Sequence, residues 1–174
     1  MSQPWRTIEL TRGYVALVDA DDYDYLNQFS WQADVRKNVV YASRTLRVDG
    51  VQKWRYMHRD ILGVTDPKVK VDHRNHNGLD NQRHNIRKSS HQQNHRNQKP
   101  RGGSSKYKGV FFFKERKKFT AHVVINRKQI YLGIFKEEID AARAYDAFAK
   151  KHFGEFACLN FPEEGVYGTT VVGS

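Results

Sequence analysis

Short apolar runs broken by Asp and Gly signals dominate the first third of the chain and read as strands and turns. Thr7-Ile8-Glu9-Leu10 and Gly13-Tyr14-Val15-Ala16-Leu17-Val18 are the first two strands, and Asp21-Asp22-Tyr23-Asp24-Tyr25-Leu26 begins a short helix or turn, because acidic residues favour a helix N-terminus. Val39-Val40-Tyr41-Ala42-Ser43-Arg44 and Lys53-Trp54-Arg55-Tyr56-Met57 are further strands, separated by the turn Asp49-Gly50. The pattern then becomes polar. Val69-Lys70-Val71-Asp72-His73 is a strand, Asn75-His76-Asn77-Gly78-Leu79-Asp80-Asn81 is a loop, and Asn85-Ile86-Arg87-Lys88 is a second short strand. Ser89 and Ser90 offer an N-cap, and Ser90 with Gln93 makes a capping box, which puts Asn94 in the first turns of a helix.

Pro100-Arg101-Gly102-Gly103-Ser104-Ser105 has the composition of a linker, and a new register begins after it. Residues 106–113, 119–126 and 129–135 read as three strands joined by the basic tip Lys114-Glu115-Arg116-Lys117-Lys118 and the turn Asn126-Arg127-Lys128. A helix from Glu137 to Phe153 carries Ile139, Ala142, Tyr145, Ala149 and Phe153 at helical spacing, with Gly154 as C-cap. The expected fold class is α+β. Its parts are an N-terminal β-rich scaffold (1–66), a central strand-loop-strand-helix unit (67–100), a linker (101–105), a three-stranded antiparallel sheet packed on one helix (106–162) and a flexible tail (163–174).

Charge sharpens this division. The formal net charge is +11 over 174 residues, yet residues 1–66 are neutral, 67–100 carry +6, 101–135 carry +8 and 136–174 carry −3. A central excess of Lys and Arg is the footprint expected for a phosphate backbone. No apolar run suits a membrane span, and the start lacks the apolar core of a signal peptide. The single cysteine, Cys158, excludes an internal disulfide framework and a multi-thiolate zinc site, and points to a reducing compartment. Its apolar neighbours mark it as a packed side chain rather than a nucleophile.

The segment Val71-Asp72-His73, with Asn85 twelve residues after His73 and Asn94 nine residues later, resembles the HNH nuclease motif. A hard divalent cation takes oxygen ligands and keeps positions open for water and phosphate, and Asp72 and Asn94 supply such oxygens. Magnesium, or manganese, is the expected metal. Water attacking a phosphodiester needs a base with a pKa near neutrality, and His73 is that base. The resemblance implies that Asn85 holds either His73 or the connecting loop in place, and that this unit is a ββα-metal fold. His58-Arg59 matches an apolar-His-Arg step that precedes the motif in HNH proteins, with His58 read as a packed or capping imidazole.

Other readings of these residues are weaker. An EF-hand loop aligned on Gly78 would place His73 first and His84 last, which fails the ligand pattern. A zinc site drawn from His73, His76, His84, His91 and His95 leaves Asp72, Asn85 and Asn94 unexplained. Asp19, Asp21, Asp22 and Asp24 alternate with aromatics and read as a solvated face rather than a metal cluster.

A second resemblance rests on Tyr107-Lys108-Gly109-Val110, Tyr131-Leu132-Gly133-Ile134-Phe135, Ala141-Ala142-Arg143-Ala144-Tyr145-Asp146, Gly154 and Leu159-Asn160-Phe161-Pro162. These resemble the Apetala-two type DNA-binding domain of plant ethylene-response factors, which also occurs joined to HNH nucleases in phage and bacterial homing endonucleases. In that family the sheet face away from the helix enters the major groove. Carried over by position, the DNA-facing set is Lys108, Phe111, Phe113, His122, Val124, Gln129 and Tyr131, with Lys114, Arg116, Lys117 and Lys118 as phosphate partners. Phe111 and Phe113 depart from the family's arginines. Phenylalanine can touch a thymine methyl or pack apolar surface but cannot read guanine, and a shifted register would bury both.

Together the two resemblances imply a site-specific, homing-type endonuclease acting on double-stranded DNA with one divalent metal, nicking or cutting the strands in sequence. They imply a monomer with no protein partner, in the cytoplasm of a bacterial or phage-infected cell. The rival from another class is a non-catalytic DNA-binding regulator with a degenerate nuclease unit.

Overall fold

The computed structural model describes residues 4–100 and 102–162, so the expected tail at 163–174 lies outside the described residues. The chain divides into two units, Met1–Asn94 and His95–Ser174.

In the first unit, β1 (Trp5–Glu9) and β2 (Val15–Asp19) form an antiparallel hairpin in which Ile8 faces Ala16. Strand alternation turns Ile8, Ala16 and Val18 to the same buried side. Helix α1 (Ala20–Leu26) follows, with Asp21 and Asp22 in its first turn, where the helix dipole favours carboxylates. A meander comes next: β3 (Gln32–Arg36), β4 (Val39–Val48) and β5 (Val51–Tyr56), in that spatial order. The β4–β5 turn is Asp49-Gly50, both at positive φ, which matches the twist of a tight hairpin. Strand β3 was not expected from sequence, and β5 ends one residue earlier than expected, at Tyr56. The chain then turns into α2 (Met57–Ile61), which buries Met57, His58 and Ile61.

Strands β6 (Lys70–His73) and β7 (Ile86–Ser89) form a separate antiparallel pair that matches Asp72 with Arg87 and His73 with Ile86. Helix α3 (His91–Arg96) begins at a reciprocal capping box: the Ser90 N–H donates to Gln93 Oε1 at 2.8 Å, and the Gln93 N–H to Ser90 Oγ at 3.2 Å. One hydrophobic core serves the whole unit. Ile86 of β7 is buried together with Ile8, Val18, Leu26, Trp31, Ala42, Met57 and Ile61, so packing continues across the expected boundary at residue 66.

The second unit is a three-stranded antiparallel sheet, β8 (Val110–Phe113), β9 (Lys118–Ile125) and β10 (Lys128–Phe135), with β9 central. Helix α4 (Glu138–Phe153) packs on one face, burying Ala141, Ala142, Tyr145, Ala149 and Phe153. Ile139, expected on that stripe, is 46% exposed. The small alanines allow close approach to Val110, Ala121 and Val123. Asn126 and Arg127, both at positive φ, form the two-residue β9–β10 turn. The first strand starts at Val110 rather than Lys106. Gly109 lies at φ +75° beneath Tyr145, where an added Cβ would come within 2.1 Å of the ring.

Candidate functional site

Asp72, His73 and Asn85 gather on the β6–β7 hairpin. Asp72 is 7% exposed, and the Arg87 guanidinium directly across the ladder donates to its Oδ2 from Nε at 3.1 Å and from Nη2 at 2.9 Å. His73, 6% exposed, places Nε2 3.4 Å from Asn81 Oδ1. Burial pushes the His73 pKa down, opposed by the Asn81 contact and by the charges of Asp72 and Asp80. The result is an imidazole that is uncharged near neutrality.

Asn85 holds the loop. Its Oδ1 accepts from the Asn75 N–H at 3.1 Å, its Nδ2 donates to the Asp80 carbonyl at 2.7 Å, and its own carbonyl accepts from the Arg74 N–H at 2.9 Å. Of the two roles left open for Asn85, these bonds serve the connecting loop. Asn81, unremarked in the sequence except as a loop residue, is the amide that meets His73. The one hint was Leu79, a lone apolar residue in a polar loop, which packs against the core. The same loop is pinned to β2, where the Leu17 N–H donates to the Leu79 carbonyl and the Asn81 N–H to the Leu17 carbonyl, each at 2.8 Å. Gly78 is required here, since a Cβ would meet the Val40 carbonyl at 2.4 Å and the Tyr41 ring at 2.7 Å.

His58 packs edge-on to His73 with centroids 4.9 Å apart, stacks on Tyr56 at 5.5 Å and contacts Tyr41 at 5.7 Å. Its Nδ1 is buried without a hydrogen-bond partner among the described residues. Burial first, then the proximity of His73 and Arg59, depresses its pKa well below the ordinary value. Arg59 fixes the approach to β6 by donating to the carbonyls of Val69 at 2.8 Å and Asp66 at 2.6 Å. The N-terminal acids are structural: Asp19 accepts from the Arg83 N–H and Asp22 pairs with the Arg83 guanidinium.

Asn94 lies on α3, half-buried, with its N–H donating to the Ser90 carbonyl at 3.0 Å. Among the described residues, no group of three or more His, Cys, Asp or Glu side chains is arranged to hold a metal. Asp72 and Asn94, the oxygen donors expected from the sequence, would offer one carboxylate and one amide oxygen. Hard oxygens so few in number fit magnesium, which keeps several waters and binds through one or two protein ligands. Arg87 is the cation any such metal would compete with at Asp72.

In the second unit the register puts Phe111, Phe113, His122, Val124, Gln129 and Tyr131 on the face opposite α4, because Val110, Ala121 and Val123 turn inward. Phe111 is 48% exposed and contacts His122 at 5.7 Å, which in turn contacts Tyr131 at 5.3 Å, a ring ladder across all three strands. Burial pushes the His122 pKa down. Lys114, Arg116 and Lys117 are exposed at the β8–β9 tip and Lys118 is half-buried. Arg116 lies over Phe113 at 5.8 Å. Lys108 departs from this face: its ammonium donates to the carbonyls of Arg96 and Gln98, both at 2.5 Å, and burial lowers its pKa.

No family model matches the chain. Over 62 residues, 36% of this chain, it is 44% identical to an AP2-like ethylene-responsive transcription factor of Arabidopsis thaliana and to an APETALA2-like protein of Oryza sativa subsp. indica. The matches span only 13% and 14% of those plant proteins. No helix among the described residues is long and apolar enough to cross a membrane. A longer match joins the chain to an uncharacterised HNH endonuclease of Acanthamoeba polyphaga mimivirus, 31% identical over 150 residues that cover 86% of this chain and 76% of the relative. By that extended likeness, the chain belongs to the HNH endonuclease family.

Proposed function

We propose that this chain is a site-specific DNA endonuclease, with the hydrolytic unit in residues 1–94 and a duplex-reading sheet in the second unit. The observation that carries the reading is the buried His73 beside Asp72 on a hairpin whose loop is fixed by Asn85. His73 takes a proton from the attacking water. The new bond forms between water oxygen and phosphorus, the bond to the 3′ oxygen breaks, and the 3′ oxygen acquires a proton from solvent. Magnesium or manganese, held by Asp72 and Asn94, would supply charge neutralisation at the phosphate. One base at one site makes one cut at a time, so the product is a nick or a sequential double-strand break.

The outer sheet face supplies base contacts through Gln129, Tyr131 and Phe111, and the basic tip supplies phosphate contacts. The Arabidopsis thaliana relative is named as a transcription factor, which supports DNA as the partner. A second reading, a non-catalytic DNA-binding regulator, draws on the Asp72–Arg87 ion pair, which already neutralises the expected metal ligand. Incubating the protein with its encoding locus and with the uninterrupted homologous locus, with and without magnesium, separates the two. Magnesium-dependent cleavage of the uninterrupted locus supports the nuclease, and specific binding without cleavage, with magnesium or without it, supports the regulator.

A further inference from the structure

The neutral balance of the first 66 residues conceals a segregation of charge. Strands β4 and β5 with their turn, residues 39–56, carry four Arg or Lys against one acid, Asp49, whereas residues 1–38 carry four against six. Arg44 and Arg55 are paired with the Asp60 carboxylate. Arg47 and Lys53 are exposed and have no acidic partner among the described residues. Between them in the fold stands Trp54, 59% exposed, more than any other large apolar side chain described. Side chains alternate along a strand, so Trp54 shares a face of β5 with Gln52 and Tyr56, and the register sets Thr45 and Arg47 beside Trp54 and Gln52 on the same face of β4. That face leads into the candidate site. Tyr56 stacks on His58, His58 packs against His73, and Tyr41 lies 5.9 Å from Tyr56 and 5.8 Å from His73.

We infer that this face of the β4–β5 ribbon is a second DNA-contacting surface, on which Trp54 packs against a base and Arg47 donates to a phosphate of the duplex flanking the scissile bond. The inference rests on the reading of the chain as a DNA endonuclease and says which part of the first unit grips the substrate. An indole offers a π-face on which any base can stack, and a guanidinium beside it complements the phosphate of the same nucleotide. Two strand positions and two ring contacts separate Trp54 from His73, a path on the order of 17 Å, so the contact falls within about five base pairs of the cut. A second copy of the chain is a poorer occupant, because it would bring one basic ribbon against another in molecules of formal net charge +11.

The test is hydroxyl-radical oxidation of the full chain, free and saturated with a duplex carrying the uninterrupted homologous locus, without divalent metal so that the duplex stays intact. Trp5, 37% exposed and paired with Asp19 beside the acidic first turn of α1, is the internal reference for radicals consumed by the DNA. The expected result is a severalfold slower oxidation of Trp54 relative to Trp5 in the complex. Trp54→Ala should weaken binding by roughly 5- to 150-fold with the salt slope unchanged, and Trp54→Phe, which keeps a ring, should recover most of that loss. Arg47→Ala should flatten the log–log salt slope by about one. A bound duplex that leaves Trp54 oxidised as fast as in the free chain overturns the inference while leaving DNA as the partner. Slower oxidation of Trp54 at high protein concentration without DNA, alongside a dimer in sedimentation, assigns the face to a second copy and also overturns it. Protection of Trp54 by DNA with no cleavage once magnesium is added upholds the inference and overturns the hydrolytic reading, and a chain that binds no duplex overturns both. The oxidation experiment uses the unaltered protein, so it decides the matter even if a variant fails to fold.

Discussion

Asp72 and Arg87 face each other directly across β6 and β7, and their side chains form an ion pair at 2.9 Å with both partners more than nine-tenths buried. Truncating one partner of such a pair leaves the other charge uncompensated in a poorly hydrated site, at a cost of about 3–5 kcal/mol. Arg87→Met should lower unfolding stability by that order, and combining Arg87→Met with Asp72→Asn should recover much of the loss. Equal destabilisation by the single and double changes in urea titrations would show that the charges are not coupled.

Catalytic roles separate by their kinetic signatures. His73→Ala should slow cleavage by roughly 100-fold or more with DNA affinity nearly intact. Asp72→Ala and Asn94→Ala should shift the metal concentration needed for half-maximal rate as well as the rate itself. Near-normal cleavage by the first variant, or an unmoved metal titration in the other two, removes the corresponding residue from the site.

Acid sensitivity follows from the two packed imidazoles. Burial depresses the pKa values of both His58 and His73. Above about pH 6.5 the rings are neutral in folded and unfolded chain alike. As the pH falls below that value the unfolded chain takes up protons that the folded chain resists, so stability declines until the folded pKa values are reached. The urea midpoint should therefore drop between pH 7.5 and 5, and His58→Gln should show a shallower drop. A midpoint with the same pH slope in both proteins would exclude His58 as a source of the effect.

Apart from Lys118 at its edge, the outer sheet face offers mainly rings and one amide and no arginine, so on the proposed reading the preferred site should be rich in A·T pairs. Replacing thymine by uracil in the preferred site removes only methyl groups, and should cost about 0.8 kcal/mol for each methyl contacted. Gln129→Ala should cost about 1–3 kcal/mol on the specific duplex with little change in salt dependence. Lys117→Ala combined with Lys118→Ala should weaken binding to all duplexes and flatten the log–log salt slope by about two at most. Uracil-insensitive binding, or equal losses on specific and random DNA for Gln129→Ala, would mean that this face does not read bases.

Much of the architecture was legible because periodicity, turns and caps are local. The Asp49-Gly50 turn, the Ser90–Gln93 capping box, the Gly154 C-cap and the helix stripe at Tyr145, Ala149 and Phe153 each depend on residues within one or two turns of chain. Strand β3 escaped notice because Gln32-Ala33-Asp34-Val35-Arg36 has only two apolar residues and owes its form to pairing with β4. That Asp72, His73 and Asn85 would come together on one hairpin was legible in the sequence, but their partners were not. Choosing Asn81 over its neighbouring amides as the contact of His73 requires knowing that the loop bonds to Leu17, more than sixty residues earlier. Lys108 was misplaced for a similar reason, since its carbonyl acceptors belong to a segment that precedes the sheet.

The shared burial of Ile86 with Met57, Ala42 and Leu26 bears on how this protein can be taken apart. A fragment cut at residue 67 would carry every residue assigned to hydrolysis yet lose the apolar wall against which β7 rests. Swapping specificity among such enzymes by recombination would therefore succeed with a crossover downstream of Asn94 and fail with one upstream of β6. On the proposed reading the smallest cassette for cutting would be the whole first unit, and the motif within it would not be a portable part.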